Sequence, residues 1–129
     1  MTKELFQKIW IPKERFKKHC LSPKDFIAKS KEPGYKVIDI RDWKLREEFP
    51  ISLPWTKVEH IPINRFCTLV KKRSRKVTRK KLLIMDKAGK LVRWVQYVLE
   101  DAGLKNYYFL DGGVERWRKE GYDQHGHKK

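Results

Sequence analysis

The segment Asp86-Lys87-Ala88-Gly89-Lys90-Leu91 is the part of this chain best suited to chemistry, a tight turn between an apolar run and an amphipathic one. In a strand-turn-helix of this kind the backbone amides converge just beyond the strand end. Together with the helix dipole they make an anion site. The segment is not a phosphate-binding P-loop, which needs glycine where Ile84 stands and serine or threonine where Leu91 stands. An ionised Asp86 is itself an anion, so it is expected to occupy those amides and cap the helix, an arrangement favourable by about 1 kcal/mol. An acid–base role would need a second carboxylate or a histidine beside it, and none is near in sequence.

Other reactive side chains carry plainer readings. Cys20 and Cys67 are too few for a disulfide framework or a zinc site. Cys67, flanked by Phe66 and Leu69, reads as a buried helix position, where cysteine behaves as a small hydrophobe. Cys20 follows His19 in a basic stretch, and Lys17 and Lys18 would lower its pKa; an ordinary surface or core cysteine is still the preferred reading. Asp39 and Arg41 read as a pair tying loops to the domain. His60 reads as a satisfied strand residue, His125 and His127 as parts of a frayed polar tail, and Asp111-Gly112-Gly113 as turn chemistry. No metal and no cofactor is expected.

The chain carries 32 Lys+Arg against 16 Asp+Glu, a formal charge of +16. Such an excess favours polyanionic partners, whether nucleic acid, an anionic membrane face or an acidic protein, and disfavours basic ones. It is concentrated between Lys71 and Lys81, where Lys71, Lys72, Arg73, Arg75, Lys76, Arg79 and Lys80 form a run without hydrophobic periodicity. This run is expected to be a solvated loop. With Lys13, Arg15, Lys17 and Lys18 it would form a patch able to displace counterions from nucleic acid. Aromatic side chains are not interleaved there, so base stacking is not indicated.

Elements of recognisable pattern position these groups. Leu5, Phe6, Ile9, Trp10 and Ile11 suit a short amphipathic helix ended by Pro12. Ser22-Pro23-Lys24-Asp25 starts a helix to about Ser30. Tyr35–Ile40 is a strand, a helix follows around Trp43–Phe49, and Val58–Ile63 and Asn64–Val70 are a strand and a helix. Lys81–Asp86 is a buried strand, and Leu91, Trp94, Val95, Val98, Leu99 and Ala102 are the stripe of a helix ended by Gly103. Asn106–Leu110 is a strand and Val114–Glu120 the last helix. The alternation predicts an α/β three-layer sandwich, a mostly parallel sheet with helices on both faces. Ligands on such sheets sit at the carboxyl ends of the strands, where the Asp86 turn lies. The expected organisation is a basic N-terminal extension (1–21), one domain (22–121) and a polar tail (122–129). With no apolar run near membrane-spanning length and no signal-peptide core, a soluble cytoplasmic protein with reduced thiols is expected.

Val37-Ile-Asp39-Ile-Arg41 followed by Glu48-Phe49 resembles the D-V-R…E-F opening of rhodanese-like domains. Val58-Glu-His-Ile61-Pro62-Ile63 is similar to that family's strand ending N-I-P-L. Gly103-Leu-Lys-Asn106-Tyr and Leu110-Asp-Gly112-Gly113-Val-Glu-Arg-Trp117 resemble its G-F-x-N-V…L-x-G-G-x-x-x-W close. The resemblance runs from Ser22 to Gly121. It implies an α/β sandwich in which the loop after the central strand begins with a cysteine that carries sulfane sulfur as a persulfide. Here the resemblance puts Asp86 at that cysteine's position, with Leu91 and Val92 where the family commonly has arginine followed by serine or threonine. A carboxylate cannot hold a stable persulfide, and the loop has no thiol. The expectation is therefore a catalytically inactive rhodanese-like domain acting as a binding or regulatory module. The alternative is a sulfurtransferase using Cys67 or Cys20.

Overall fold

The computed structural model describes residues 10–129. Five strands, β1 (Cys20–Leu21), β2 (Tyr35–Asp39), β3 (Val58–His60), β4 (Lys81–Met85) and β5 (Tyr107–Leu110), form one sheet in the order β1-β5-β4-β2-β3. Every pair is parallel, with Ile38 opposite Ile84 and Leu82 opposite Tyr107. The helices are α1 (Lys13–Lys18), α2 (Pro23–Ser30), α3 (Trp43–Glu48), α4 (Ile63–Lys71), α5 (Arg75–Thr78), α6 (Leu91–Asp101) and α7 (Gly113–Lys119).

The apolar runs explain the layering. Leu82, Leu83, Ile84 and Met85 are all buried, as a central parallel strand covered on both faces requires. Leu82 and Ile84 join Ile38, Ile40, Phe66, Val95 and Leu99 on the face covered by α4 and α6. Leu83 and Met85 join Val37, Phe26 and Trp117 under α2 and α7. Ser22 caps α2 as its position implied, its Oγ accepting from the Asp25 amide at 3.2 Å.

Three expectations are corrected. The basic segment is not a solvated loop: α4 runs to Lys71, and Ser74 caps the single turn α5, whose Val77 is fully buried. One apolar residue in a basic run shows no periodicity, yet it is enough to anchor the turn. The tail is not frayed either. Trp117 Nε1 donates to the Asp123 carbonyl at 2.8 Å, Ser52 N to the Gln124 carbonyl at 2.9 Å, and Tyr122 bridges Lys128. The third concerns the short strand β1, absent from the sequence reading; it pairs with β5, and two residues carry no usable period. The helix expected at Leu5–Ile11 lies mostly outside the described residues, although Ile11 is fully buried and Trp10 exposed.

Candidate functional site

The chain leaves β2 toward β3 on one side and β4 toward β5 on the other, so a crevice opens between the carboxyl ends of β2 and β4. Asp39-Ile40-Arg41 forms one wall and Asp86–Leu91 the other. Ile40 N donates to the Met85 carbonyl at 3.0 Å, which joins the two walls.

Asp86 is buried, and its carboxylate fills the amide cradle. Oδ1 accepts from Gly89 N at 2.7 Å, and Oδ2 from Leu91 N at 2.9 Å and Val92 N at 3.3 Å. Burial raises the Asp86 pKa above the ordinary carboxylate range; the three amides pull it down but do not cancel the desolvation. The loop is clamped against the start of α7. Val114 N donates to the Asp86 carbonyl and Glu115 N to the Lys87 carbonyl, both at 2.9 Å. The approach is so close that a Cβ at Gly113 would lie 2.5 Å from Ala88 N, and one at Gly89 2.8 Å from Gly112 N. Gly112-Gly113 is thus the back wall of the cradle as well as a turn. Three glycines in two turns far apart in sequence were the available signal.

Arg41 and Asp39 form a buried fork: Nε lies 3.0 Å from Oδ1 and Nη2 2.7 Å from Oδ2. Nη2 also donates to the Phe49 carbonyl at 2.9 Å, so the pair ties the β2 loop and the end of α3 together. His60 Nε2 lies 2.6 Å from the Arg41 carbonyl, and its ring packs edge-on to Trp43. A small pocket of about 140 Å³ between Arg41, Phe49, Lys87 and Arg118 adjoins the loop.

Neither thiol lies among the loop amides. Cys20 Sγ–H donates to the Phe16 carbonyl at 3.3 Å. Its pKa is pushed up to about 12 by burial, then by Asp111. The lowering expected from Lys17 and Lys18 does not occur; both side chains are exposed, and Arg93 is the cation that acts on this thiol. Burial also pushes the Cys67 thiol up, against the pull of Lys71. Cys67 is half-buried on α4 and opens on a cavity of about 470 Å³ with Asn64, Lys71, Leu91 and Trp94. Leu91 is half-exposed at the mouth of the loop, but its amide serves Asp86.

The basic residues stand elsewhere. Arg75–Lys80 leads into the amino end of β4, whereas Asp86 leaves its carboxyl end, about 16 Å away along five strand residues. The two cannot form one site. Asp111 pairs with Arg116 at 2.6 Å, and Asp123 accepts from the His125 and His127 amides at 2.8 and 3.0 Å. Among the described residues no group of three or more His, Cys, Asp or Glu side chains could hold a metal ion, and no helix is long and apolar enough to cross a membrane.

No family model and no curated protein matches the chain. Solved structures do. The polysulfide-sulfur transferase homodimer of Wolinella succinogenes is 22% identical, covering 93% of this chain and 89% of that one, with a TM-score of 0.60. A single-domain sulfurtransferase of Saccharomyces cerevisiae is 16% identical over 79% of this chain and 89% of that one, with a TM-score of 0.60. The rhodanese-like domain of an Anabaena protein is 18% identical over 80% and 75%, with a TM-score of 0.57. The parallel sheet, its helical layers and these likenesses together make this chain's fold that of the rhodanese-like domains.

Proposed function

We propose that this chain is a rhodanese-fold domain that does not transfer sulfur and serves instead as a cytoplasmic binding module for a polyanionic partner. The observation that carries the reading is the Asp86 carboxylate in the amide cradle, at 2.7 and 2.9 Å from Gly89 N and Leu91 N. A persulfide in this fold needs a thiol at the loop's start and free amides around the terminal sulfur. Here the loop supplies an oxygen acid at the position that resembles the cysteine's, and that acid already uses the amides. Cys20 remains a thiol throughout the neutral range, so it is a poor nucleophile. The charge of +16 supplies the attraction for a polyanion.

Intact mass after incubation with thiosulfate tests the reading. The natural protein is expected to gain no sulfur. A gain of one sulfur that cyanide removes would overturn the proposal, and peptide mapping would place it on Cys20 or Cys67. An Asp86→Cys variant treated in parallel asks whether the loop holds sulfur once a thiol is supplied.

A further inference from the structure

The end of the sheet opposite the Asp86 cradle gathers cations from four separate stretches of sequence. The turn Gly103–Asn106 before β5 lies at its centre. On one side Lys105, Gly103 and Leu104 line a groove of about 320 Å³ with Arg15 and His19. On the other side the same three residues line a groove of about 210 Å³ with Thr78 and Lys80. Arg73 reaches the neighbouring Ala102 carbonyl from α4's end, at 2.8 Å. Lys36, at the start of β2, donates to the Lys76 carbonyl at 2.8 Å and closes the far side. Lys17, Lys18, Lys72, Arg75, Arg79, Lys80 and Lys105 are all exposed.

Carboxylates at this end do little to offset them. Glu100, Glu59 and Glu32 each lie within 4.0 Å of a cation of the same region. Glu14 and Asp101, both exposed, are left to set against the exposed cations. The face is also polar in a telling way. Among the described residues the exposed large hydrophobic side chains are Trp10, Trp43, Leu91 and Trp94. Trp43 and Leu91 follow the carboxyl ends of β2 and β4, and Trp10 and Trp94 line a groove with Gly89 and Lys90. None of these side chains lines the grooves around Gly103–Asn106. The part-buried rings at this end are already engaged, His19 stacked on Tyr107 and Tyr35 under Lys29 and Lys81. The face therefore offers neither the apolar centre of a protein interface nor open aromatic platforms for single-stranded nucleic acid. A duplex needs only cations that meet a row of phosphates. From β1 to β2 the sheet is about 14 Å wide, a length that spans roughly four phosphates of one strand.

We propose that this amino-terminal end of the sheet binds duplex nucleic acid through its phosphate backbone, without reading sequence, with Arg79, Lys80 and Lys105 at the centre of the contact. The proposal rests on the reading of the chain as a binding module and names the partner of that module. It does not depend on the cradle, so a sulfur gain from thiosulfate would leave it standing.

The test is fluorescence anisotropy of a labelled random-sequence DNA duplex at 50 to 200 mM NaCl. It compares the natural protein with two charge-matched variants, each checked for folding by circular dichroism. Arg79→Gln/Lys80→Gln/Lys105→Gln alters the proposed face; Lys44→Gln/Lys87→Gln/Lys90→Gln alters the cradle end by the same charge. The natural protein is expected to bind with a steep salt dependence. Loss of three phosphate contacts removes about 0.9 each from the slope of log K against log salt, so the first variant's affinity should fall about 40-fold less across this range. The second variant should retain the natural slope. Equal losses in both variants would overturn the proposal in favour of diffuse charge. Absence of binding at 150 mM would also overturn it, as would poly-glutamate of matched charge binding as tightly as the duplex, which would point to an acidic protein.

Discussion

Replacing Asp86 by alanine removes the only acceptor the loop offers to three backbone amides, and the cost can be worked from their surroundings. Gly89 N and Leu91 N, bonded at 2.7 and 2.9 Å, are part-buried, so water can reach them once the carboxylate is gone. Val92 N is buried and would be left unpaired, although its bond at 3.3 Å is the longest of the three. One orphaned buried donor costs about 1–3 kcal/mol, and loss of a helix cap costs about 0.5–2. Against these stands relief of a buried charge, whose desolvation raises the pKa. The expected net loss is about 1–3 kcal/mol at pH 7, or roughly 4–12 °C in Tm for a chain of this length. Asp86→Asn should cost nearly as much. Its single oxygen can serve either Gly89 or the Leu91–Val92 side, and its NH2 must face donors on the other.

The pH dependence has a definite sign. A carboxyl whose pKa is raised in the folded state binds protons there more tightly than in the unfolded chain. Its contribution to stability is therefore greatest in acid, and it declines as pH rises through the unfolded value of 3.8 to the raised folded one. Asp86→Asn removes that decline, so its deficit relative to the natural protein should be larger at pH 3 than at pH 7. Urea unfolding at both pH values measures this. An Asp86→Ala variant as stable as the natural protein at pH 7 would refute the reasoning, because the carboxylate would then not be what holds the loop.

Gly113→Ala should cost about 2–5 kcal/mol by thermal unfolding: it adds strain at φ 64 to a Cβ lying 2.5 Å from Ala88 N. Gly103→Ala, at φ 77 with nothing within 4 Å, should lose only about 1–2 kcal/mol, and equal losses would mean the close approach is irrelevant. Arg41→Ala leaves Asp39 buried without its fork and releases the Phe49 carbonyl, for an expected loss of about 3–5 kcal/mol in urea unfolding. A loss below about 1 kcal/mol would show the pair to be dispensable. With its pKa pushed up to about 12, Cys20 should react with a disulfide reagent at pH 8 far more slowly than free cysteine, and denaturant should restore the rate. Labelling of Cys20 in the native protein at the free rate would contradict its burial.

Much of this was legible in sequence because it is local. A four-residue apolar run such as Leu82–Met85, bounded by Lys81 and Asp86, is too short for a buried helix and suits a strand covered on both faces. Ser22 caps, glycines stop helices, and an anion at the end of such a strand has the nearest amides as its natural partners. The strand order, the meeting of Gly89 with Gly112, and the burial of Val77 inside a run of cations were not legible. Each depends on residues distant in sequence arriving at one point, and a single buried valine leaves no period to read. Cys20 shows the contrast most clearly. Its neighbours Lys17 and Lys18 suggested a lowered pKa, but β1 places the thiol under Phe16 and near Asp111, and burial wins. Composition alone set the charge at +16. Only the tertiary structure decided that Arg15, Lys80 and Lys105 share one end of the sheet and that the cradle occupies the other, because parallel strands send every incoming loop to one end and every outgoing loop to the opposite one.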